Sequence, residues 1–309
     1  MGPEAVMTDI ELVYSADRVV FESPVFDPQH RRIMFADLRD GTLFTFYEDS
    51  GKIETRELGG PVGSFGMCAS GRIVVAQGRT VSVVDLDSGE RETLVADINE
   101  PPGNRFNDGK VGPDGCFWVG TRDARRDAGR VPHGNASLYR ITPDGRIERK
   151  STGYATSNGL AFTPDGRTMY HADSHNGRVD AWDLDPVTGQ ISGRRVLATL
   201  ATGEGRPDGA ACDSEGYYWS AGVSAGCLNR FAPDGRIVAK IALPCPKPTM
   251  TCFSDDYLYV TSMKDQRGGP GFVADLQMAD ISGYRHNVTG LFRMRAPVRG
   301  ARLPVFADS

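Results

Sequence analysis

The chain has 309 residues, of which 39% are apolar, and carries a formal net charge of −5 at pH 7. An acidic chain without a basic stripe is not expected to bind nucleic acid, and no apolar run is long enough to span a membrane. The N-terminal residues lack a basic segment followed by an apolar core, and the six cysteines form no CxxC pair, so we expect a cytoplasmic protein with buried thiols.

Six stretches of the chain align with one another along its length. Each begins with a polar residue, has an apolar fifth residue, and leads through a turn into a strand. The stretches start 41 to 51 residues apart, a spacing that predicts a radial β-repeat. In chain order they are ESPVFD from Glu22, SFGMCA from Ser64, NDGKVG from Asn107, NGLAFT from Asn158, DGAACD from Asp208 and TMTCFS from Thr249.

The turns between the predicted strands recur as well. The sequence PDG occurs at 113–115, 143–145, 164–166 and 233–235, where Pro presets φ and Gly accepts a positive φ. No segment shows a helical period. We therefore predict an all-β fold, a six-bladed β-propeller with four-stranded antiparallel blades, formed by residues 1–309 as a single domain. The N-terminal segment TDIELVYSA would close the ring, because an unsealed propeller leaves open strand edges.

Two segments interrupt the repeat and are predicted to be insertion loops. The first, RDARRDAGRVPHGNAS, covers about 122–137, and the second covers about 264–287 and begins with a stretch rich in Gly.

The first residues of the stretches are expected to meet at the centre, because the innermost strand of each blade lines the channel of a propeller. Glu22, Asn107, Asn158 and Asp208 would supply two carboxylates and two amide oxygens there. This set suits one divalent cation, Ca²⁺, Mg²⁺ or Mn²⁺, and also Zn²⁺ or Fe²⁺ with water ligands. Alternatively, these side chains only hold water, although two facing carboxylates without a cation would repel each other.

Four longer segments resemble the SMP-30/gluconolactonase/luciferin-regenerating-enzyme family, which includes regucalcin. They are ESPVF at 22–26, RFNDGKVGPDGCFWVGT at 105–121, SNGLAFTPDGRTMY at 157–170 and RPDGAACDSEGYYW at 206–219. The resemblance implies a six-bladed propeller with one divalent metal in the channel, held by Glu22, Asn158 and Asp208. It also implies that Arg105 and Asn107 contact the substrate.

The reaction implied by the resemblance is the hydrolysis of a sugar lactone, an internal ester. The metal would polarise the lactone carbonyl, and Asp208 is the candidate base that takes a proton from the attacking water. One alternative is a metal-binding scaffold without activity. Another is a paraoxonase-like or strictosidine-synthase-like hydrolase of lipophilic lactones, but Arg105, Asn107 and Asp108 favour a hydrophilic sugar.

One segment departs from the family pattern, which can place an acidic substrate contact after the GT at 120–121. Here Arg122, Asp123, Ala124, Arg125 and Arg126 follow instead. If Arg122 and Arg125 line the pocket, they predict a lactone that also bears a carboxylate, phosphate or sulfonate, because guanidinium binds such groups through paired hydrogen bonds. The alternative is a charged surface loop. His171 and His175 do not form a zincin motif and are interpreted as structural.

Overall fold

The computed structural model describes residues 9–127, 134–265 and 283–308. Within these ranges, six antiparallel sheets of four strands each form a six-bladed β-propeller, which confirms the predicted fold. The chain enters through β1 (Glu11–Ala16). Blades 1 and 2 then contain β2 (Phe21–Asp27), β3 (Arg32–Asp37), β4 (Thr42–Tyr47), β5 (Ile53–Glu57), β6 (Val62–Met67), β7 (Ile73–Gln77), β8 (Thr80–Val84) and β9 (Arg91–Val95).

The next blades follow in chain order. Blades 3 and 4 contain β10 (Arg105–Val111), β11 (Phe117–Arg122), β12 (Ala136–Ile141), β13 (Ile147–Tyr154), β14 (Ser157–Phe162), β15 (Thr168–Asp173), β16 (Arg178–Leu184) and β17 (Ile191–Thr199). Blades 5 and 6 contain β18 (Pro207–Cys212), β19 (Tyr218–Gly222), β20 (Cys227–Phe231), β21 (Ile237–Ala242), β22 (Pro248–Phe253), β23 (Tyr257–Ser262) and β24 (Thr289–Arg295). Two helical turns, α1 (Ala124–Asp127) and α2 (Thr202–Gly205), lie between strands.

Both ends of the propeller chain meet in blade 6. β1 pairs with β24 and forms the outer strand of that sheet, while β22 is its inner strand. The inner strands of neighbouring blades contact one another around a complete ring, including β22 with β2. At this closing contact the Thr249 hydroxyl donates a hydrogen bond to the carbonyl of Phe21.

The core lies between the blades rather than within them. The second strand of each blade is buried on both faces because neighbouring sheets cover it, so β3 (RIMFAD) and β7 (IVVAQ) are nearly continuous apolar runs. The outer strand β5 (IETRE) is mostly exposed and correspondingly polar. All six cysteines belong to the described residues, and all are buried and free of disulfide bonds, as small core side chains are.

The C-terminal segment after β24 crosses the face of the propeller opposite the start of the inner strands. The amide of Ala301 donates to the carbonyl of Cys212 in blade 5, and the amide of Phe306 donates to the carbonyl of Met67 in blade 2. Asp308 completes the crossing with a hydrogen bond and ion pair to blade 2. The channel is therefore covered at this end.

The insertions are only partly described. Arg122 is the last residue of β11 and Ala136 is the first of β12, so both ends of the first insertion belong to strands, and 128–133 lie outside the described residues. Most of the second insertion, 266–282, also lies outside them. The helices of the described ranges include none long and apolar enough to cross a membrane.

Candidate metal centre

Each inner strand carries a β-bulge near its first polar residue. In blade 1, Glu22 pairs with Ala36 and Val25 pairs with Met34, so three steps along β2 face two steps along β3. An extra residue of this kind bends the strand and re-aims the neighbouring side chain. The other inner strands have the same one-residue excess at or beside Ser64, Asn107, Asn158, Asp208 and Thr249.

The backbone conformation at two of these bulges is left-handed. Ser23, which follows Glu22, has φ of 54°, and Gly159, which follows Asn158, has φ of 60°. A Cβ at Gly159 would lie 2.9 Å from the carbonyl oxygen of Asp208, so only glycine allows the strands of blades 4 and 5 to approach this closely. This close approach brings Asn158 beside Asp208.

Three of the predicted site residues form a continuous chain of buried hydrogen bonds across three blades. Asn107 Nδ2 donates to Asn158 Oδ1 at 3.0 Å, and Asn158 Nδ2 donates to Asp208 Oδ1 at 2.7 Å. Asn107 Nδ2 also donates to the carbonyl of Ser157, and Asn158 Nδ2 also donates to Ser174 Oγ. The two amides and the carboxylate are thereby held in one fixed orientation.

Glu22 faces this chain from blade 1. Its side chain is buried, and Oε2 has no hydrogen-bond partner among the described residues. Burial and the charges of Asp208 and Asp108 raise the pKa of Glu22 well above its ordinary value. The carboxylates of Glu22 and Asp208 thus interact electrostatically across the channel.

Asp108 supplies a third buried carboxylate. Its Oδ2 accepts the amide proton of Leu160 at 3.1 Å, which links blade 3 to blade 4, whereas Oδ1 has no partner among the described residues. Burial raises the pKa of Asp108 to about 6, although the charge of Lys110 lowers it. Its role in substrate binding stays a prediction, and its described contact is to the backbone.

The side chains of the channel fit a divalent cation. Buried carboxylate oxygens without partners on Glu22 and Asp108, and the repulsion between Glu22 and Asp208, are the features that a bound cation would relieve. In the described ranges, no three His, Cys, Asp or Glu side chains form a metal-binding group by themselves. The expected ligand set instead takes its third donor from the amide of Asn158.

Two of the predicted substrate residues are direct neighbours at the start of blade 3. Arg105 and Arg122 are register partners on β10 and β11, so their side chains leave the same face of the sheet. Arg122 also forms a β-bridge with Thr156 of blade 4, two residues before Asn158. From blade 5, the Arg206 guanidinium donates to the carbonyl of His175, also in blade 4, at 2.7 Å.

Arg125 lies on α1, directly after this arginine pair. It is half-buried, and its amide donates to Oδ1 of the buried Asp123 at 2.9 Å. The side chain of Arg126 lies outside the described residues. Arg122 and Arg206 therefore both contact the backbone of blade 4, at Thr156 and His175, and Arg105 is the register partner of Arg122.

The sequence profile of the SMP-30/gluconolactonase/LRE-like region matches residues 20–264. The chain belongs to this family. It is 35% identical to regucalcin of Xenopus laevis over 260 residues, which cover 83% of this chain and 87% of that protein. It is 33% identical to the 6-deoxy-6-sulfogluconolactonase of Pseudomonas putida over 304 residues, which cover 96% and 98% of the two proteins.

Solved structures share the fold of this family member. A luciferin-regenerating enzyme superposes with a TM-score of 0.83 at 27% identity, covering 97% of this chain and all of that one. A regucalcin from Agrobacterium tumefaciens, described as a calcium-binding protein, superposes with a TM-score of 0.82 at 24% identity, covering 97% of both chains. The resemblance inferred from the motifs is confirmed.

Three residues of the site were not predicted from the sequence. Ser174 orients Asn158, Arg206 adds a cation at the edge of blade 4, and Lys110 lies in the channel. A signal for Lys110 does exist, because the fourth residue of the other five aligned stretches is apolar. A lysine at such a position indicates a partner inside the channel.

His171 is fully buried, in agreement with a structural role. Its Nε2 hydrogen-bonds Ser157 Oγ at 2.6 Å, and its ring packs edge-on against Tyr154. Burial and the charges of Arg194 and Arg178 lower the pKa of His171 to about 3. A neutral imidazole thus fixes the residue that precedes Asn158.

Proposed function

We propose that this protein is a divalent-metal-dependent lactonase that opens a sugar lactone to the corresponding sugar acid. The observation that carries the proposal is the buried Asn107–Asn158–Asp208 chain facing the carboxylate of Glu22. The family description and the 6-deoxy-6-sulfogluconolactonase activity named for the relative from Pseudomonas putida support the same chemistry.

Glu22, Asn158 and Asp208 would hold one divalent cation, drawn from Ca²⁺, Zn²⁺, Mn²⁺, Mg²⁺ and Fe²⁺. When bound, the ion supplies Lewis-acid polarisation of the lactone carbonyl. Calcium is supported by the description of the relative from Agrobacterium tumefaciens, and the other ions are distinguished by the experiment below.

Asp208 is the proposed general base. It accepts one proton from water while the water oxygen bonds to the carbonyl carbon, and the proton passes to the ring oxygen as the ring C–O bond breaks. The product is a carboxylic acid with a free hydroxyl, so atoms and charge balance without a further reactant. Asn158 holds the carboxylate of Asp208 in position, while Arg105 and Asn107 would hold the sugar hydroxyls and ring oxygen.

The proposed substrate carries an anion in addition to the lactone. Arg105 and Arg122 are register partners, so two guanidinium groups that can bind an anion belong to neighbouring strands of blade 3. Arg206 and Arg125 add positive charge at the same edge. The relative named for a sulfonated gluconolactone aligns over nearly the whole chain, which supports a sulfonate, phosphate or carboxylate on the sugar.

The proposal is tested with protein stripped of metal by a chelator. Aldonolactones with and without an anionic group at C6 are offered while each of the five cations is restored singly, and acid release is followed. We expect hydrolysis only with a divalent cation present. Tight cation binding without hydrolysis of any lactone would instead favour the scaffold alternative.

A further inference from the structure

Lys110 spans the central channel. It lies on β10 in blade 3, three residues after Asn107, and its Nζ donates to the carbonyl of Ala210 on β18 in blade 5 at 2.8 Å. These blades are not neighbours, since blade 4 separates them. The side chain therefore crosses the channel directly beyond the residues expected to hold the metal.

The ammonium group acts on two buried carboxylates. Asp108 lies two residues before Lys110 on β10, and Ala210, which accepts the Lys110 proton, lies two residues after Asp208 on β18. The charge of Lys110 also acts on the pKa of Glu22 and of Asp108 in the direction opposite to that of burial. Electrostatic energy falls only inversely with distance in a weakly screened interior, so a cation bound at Glu22 would interact with Lys110 as well.

Lys110 lines two small cavities on the side of the channel away from the carboxylates. They have volumes of about 60 and 20 Å³, and Leu303 and Pro304 of the C-terminal segment contribute to the walls of both. The larger one has room for water, which can hydrate the ammonium protons that Ala210 does not use. A charged lysine is thus compatible with this interior position.

We infer that Lys110 is the internal counter-ion of the channel, which compensates the carboxylates in the metal-free protein and opposes the divalent cation when it binds. This inference rests on the metal site of the proposed function. The inference predicts two effects in opposite directions: Lys110 stabilises the metal-free protein and weakens metal binding. A lysine that only held the two blades together would instead favour both the stability of the metal-free protein and the binding of the metal.

The experiment uses Lys110→Gln, which removes the charge but retains an N–H donor, and Lys110→Arg, which retains the charge. The matched control is Lys240→Gln, because Lys240 Nζ also donates to backbone carbonyls but lies on β21, the outer strand of blade 5, away from the channel. For each protein, the Tm without metal and the Kd for Ca²⁺ and Mn²⁺ are measured by calorimetry. Chelator competition with metal-loaded protein gives the Kd for any variant that does not fold without metal.

We expect Lys110→Gln to lower the Tm of the metal-free protein and to bind the cation at least tenfold more tightly, a change of about 1.4 kcal/mol. Lys110→Arg and Lys240→Gln should match the wild type in both measurements. Unchanged or weaker cation binding by Lys110→Gln would overturn the counter-ion role while leaving the lactonase proposal intact. A wild-type protein that binds no divalent cation would overturn both.

Discussion

Asn158 Nδ2 donates to Asp208 Oδ1 at 2.7 Å across the boundary between blades 4 and 5. Because the same nitrogen also donates to Ser174, the amide is fixed with its oxygen on the side of Asn107. The amide oxygen is the only atom of this side chain that can coordinate a metal ion, so its fixed direction determines where an ion can bind.

Asp208→Ala should lose both the metal and the activity. The carboxylate serves as ligand and as proposed base, and a general base alone contributes roughly 10²–10⁴-fold, so we expect kcat/KM to fall by about 10³-fold or more. Metal content is measured together with lactone hydrolysis, with the exposed Asp183→Ala as the control. Undiminished turnover by Asp208→Ala would reject this assignment.

Glu22→Gln should weaken metal binding while preserving the fold. The substitution keeps the side-chain volume but removes one of the two carboxylate charges that would offset dehydration of the ion. We expect the Kd for the divalent cation to rise by roughly tenfold or more, with activity recovered at high cation concentration. A Kd equal to that of the wild type would place the metal elsewhere.

The metal-free protein should lose stability as the pH rises through the range where Asp108 ionises. The pKa of Asp108 is raised to about 6 in the folded state from 3.8, so the folded state holds this proton more tightly than the unfolded chain. Its contribution to stability is fully present below pH 3.8 and is lost as the pH rises to about 6.

Asp108→Asn tests this pH dependence by unfolding of the metal-free protein between pH 4 and 7. Asparagine keeps an oxygen that can accept the amide proton of Leu160, so the blade contact can persist without the titration. The variant should show a flatter dependence of stability on pH than the wild type and than Asp183→Asn. If stability changed with pH as steeply in Asp108→Asn as in the wild type, groups other than Asp108 would account for the pH dependence.

The sequence predicts the fold and the four polar channel residues because both follow from one repeated pattern. The sequence does not predict the β-bulges, because no residue type marks the positions at which the strand register changes. In blade 3, the unshifted register of Gly109 with Val119 would pair Arg105 with Asp123, whereas the bulge pairs it with Arg122. The bulge therefore makes two arginines, Arg105 and Arg122, register partners.

The sequence also does not predict the path of the C-terminal segment that covers one end of the channel. Residues 299–308 contain no strand pattern, and their place is set by isolated backbone contacts to distant blades, such as Ala301 to Cys212 and Phe306 to Met67. Contacts of this kind depend on the closed ring being present first. Local periodicity therefore carries no information about them.

Arg105→Ala should reduce kcat/KM for the lactone by roughly 10²-fold while leaving the metal bound, because it removes the proposed charge-assisted hydrogen bonds to the substrate but none of the proposed metal ligands. Arg105→Lys should recover part of the loss, since it keeps the charge without the planar donor pair. Metal content, measured by elemental analysis, distinguishes a loss of substrate contacts from a loss of the metal. Loss of the metal from Arg105→Ala would make Arg105 a structural support instead.

The anionic group of the substrate is tested by comparing gluconolactone with a lactone of the same ring that carries an anion at C6. Arg122→Ala and Arg125→Ala should lower kcat/KM for the anionic lactone by roughly tenfold or more each, because a charged hydrogen bond contributes more than a neutral one. Gluconolactone should be affected much less, and the exposed Arg195→Ala should affect neither substrate.

Ionic strength then separates a buried contact from an exposed one. If the guanidinium that binds the anion is in contact with solvent, the preference for the anionic lactone over gluconolactone falls as the salt concentration rises. The reason is that charges are screened over about 8 Å at physiological ionic strength. Because Arg122 and Arg125 are half-buried, we expect the preference for the anionic lactone to weaken with salt but to persist. Equal kcat/KM for both lactones, unchanged in Arg122→Ala and Arg125→Ala, would identify this segment as a charged surface loop.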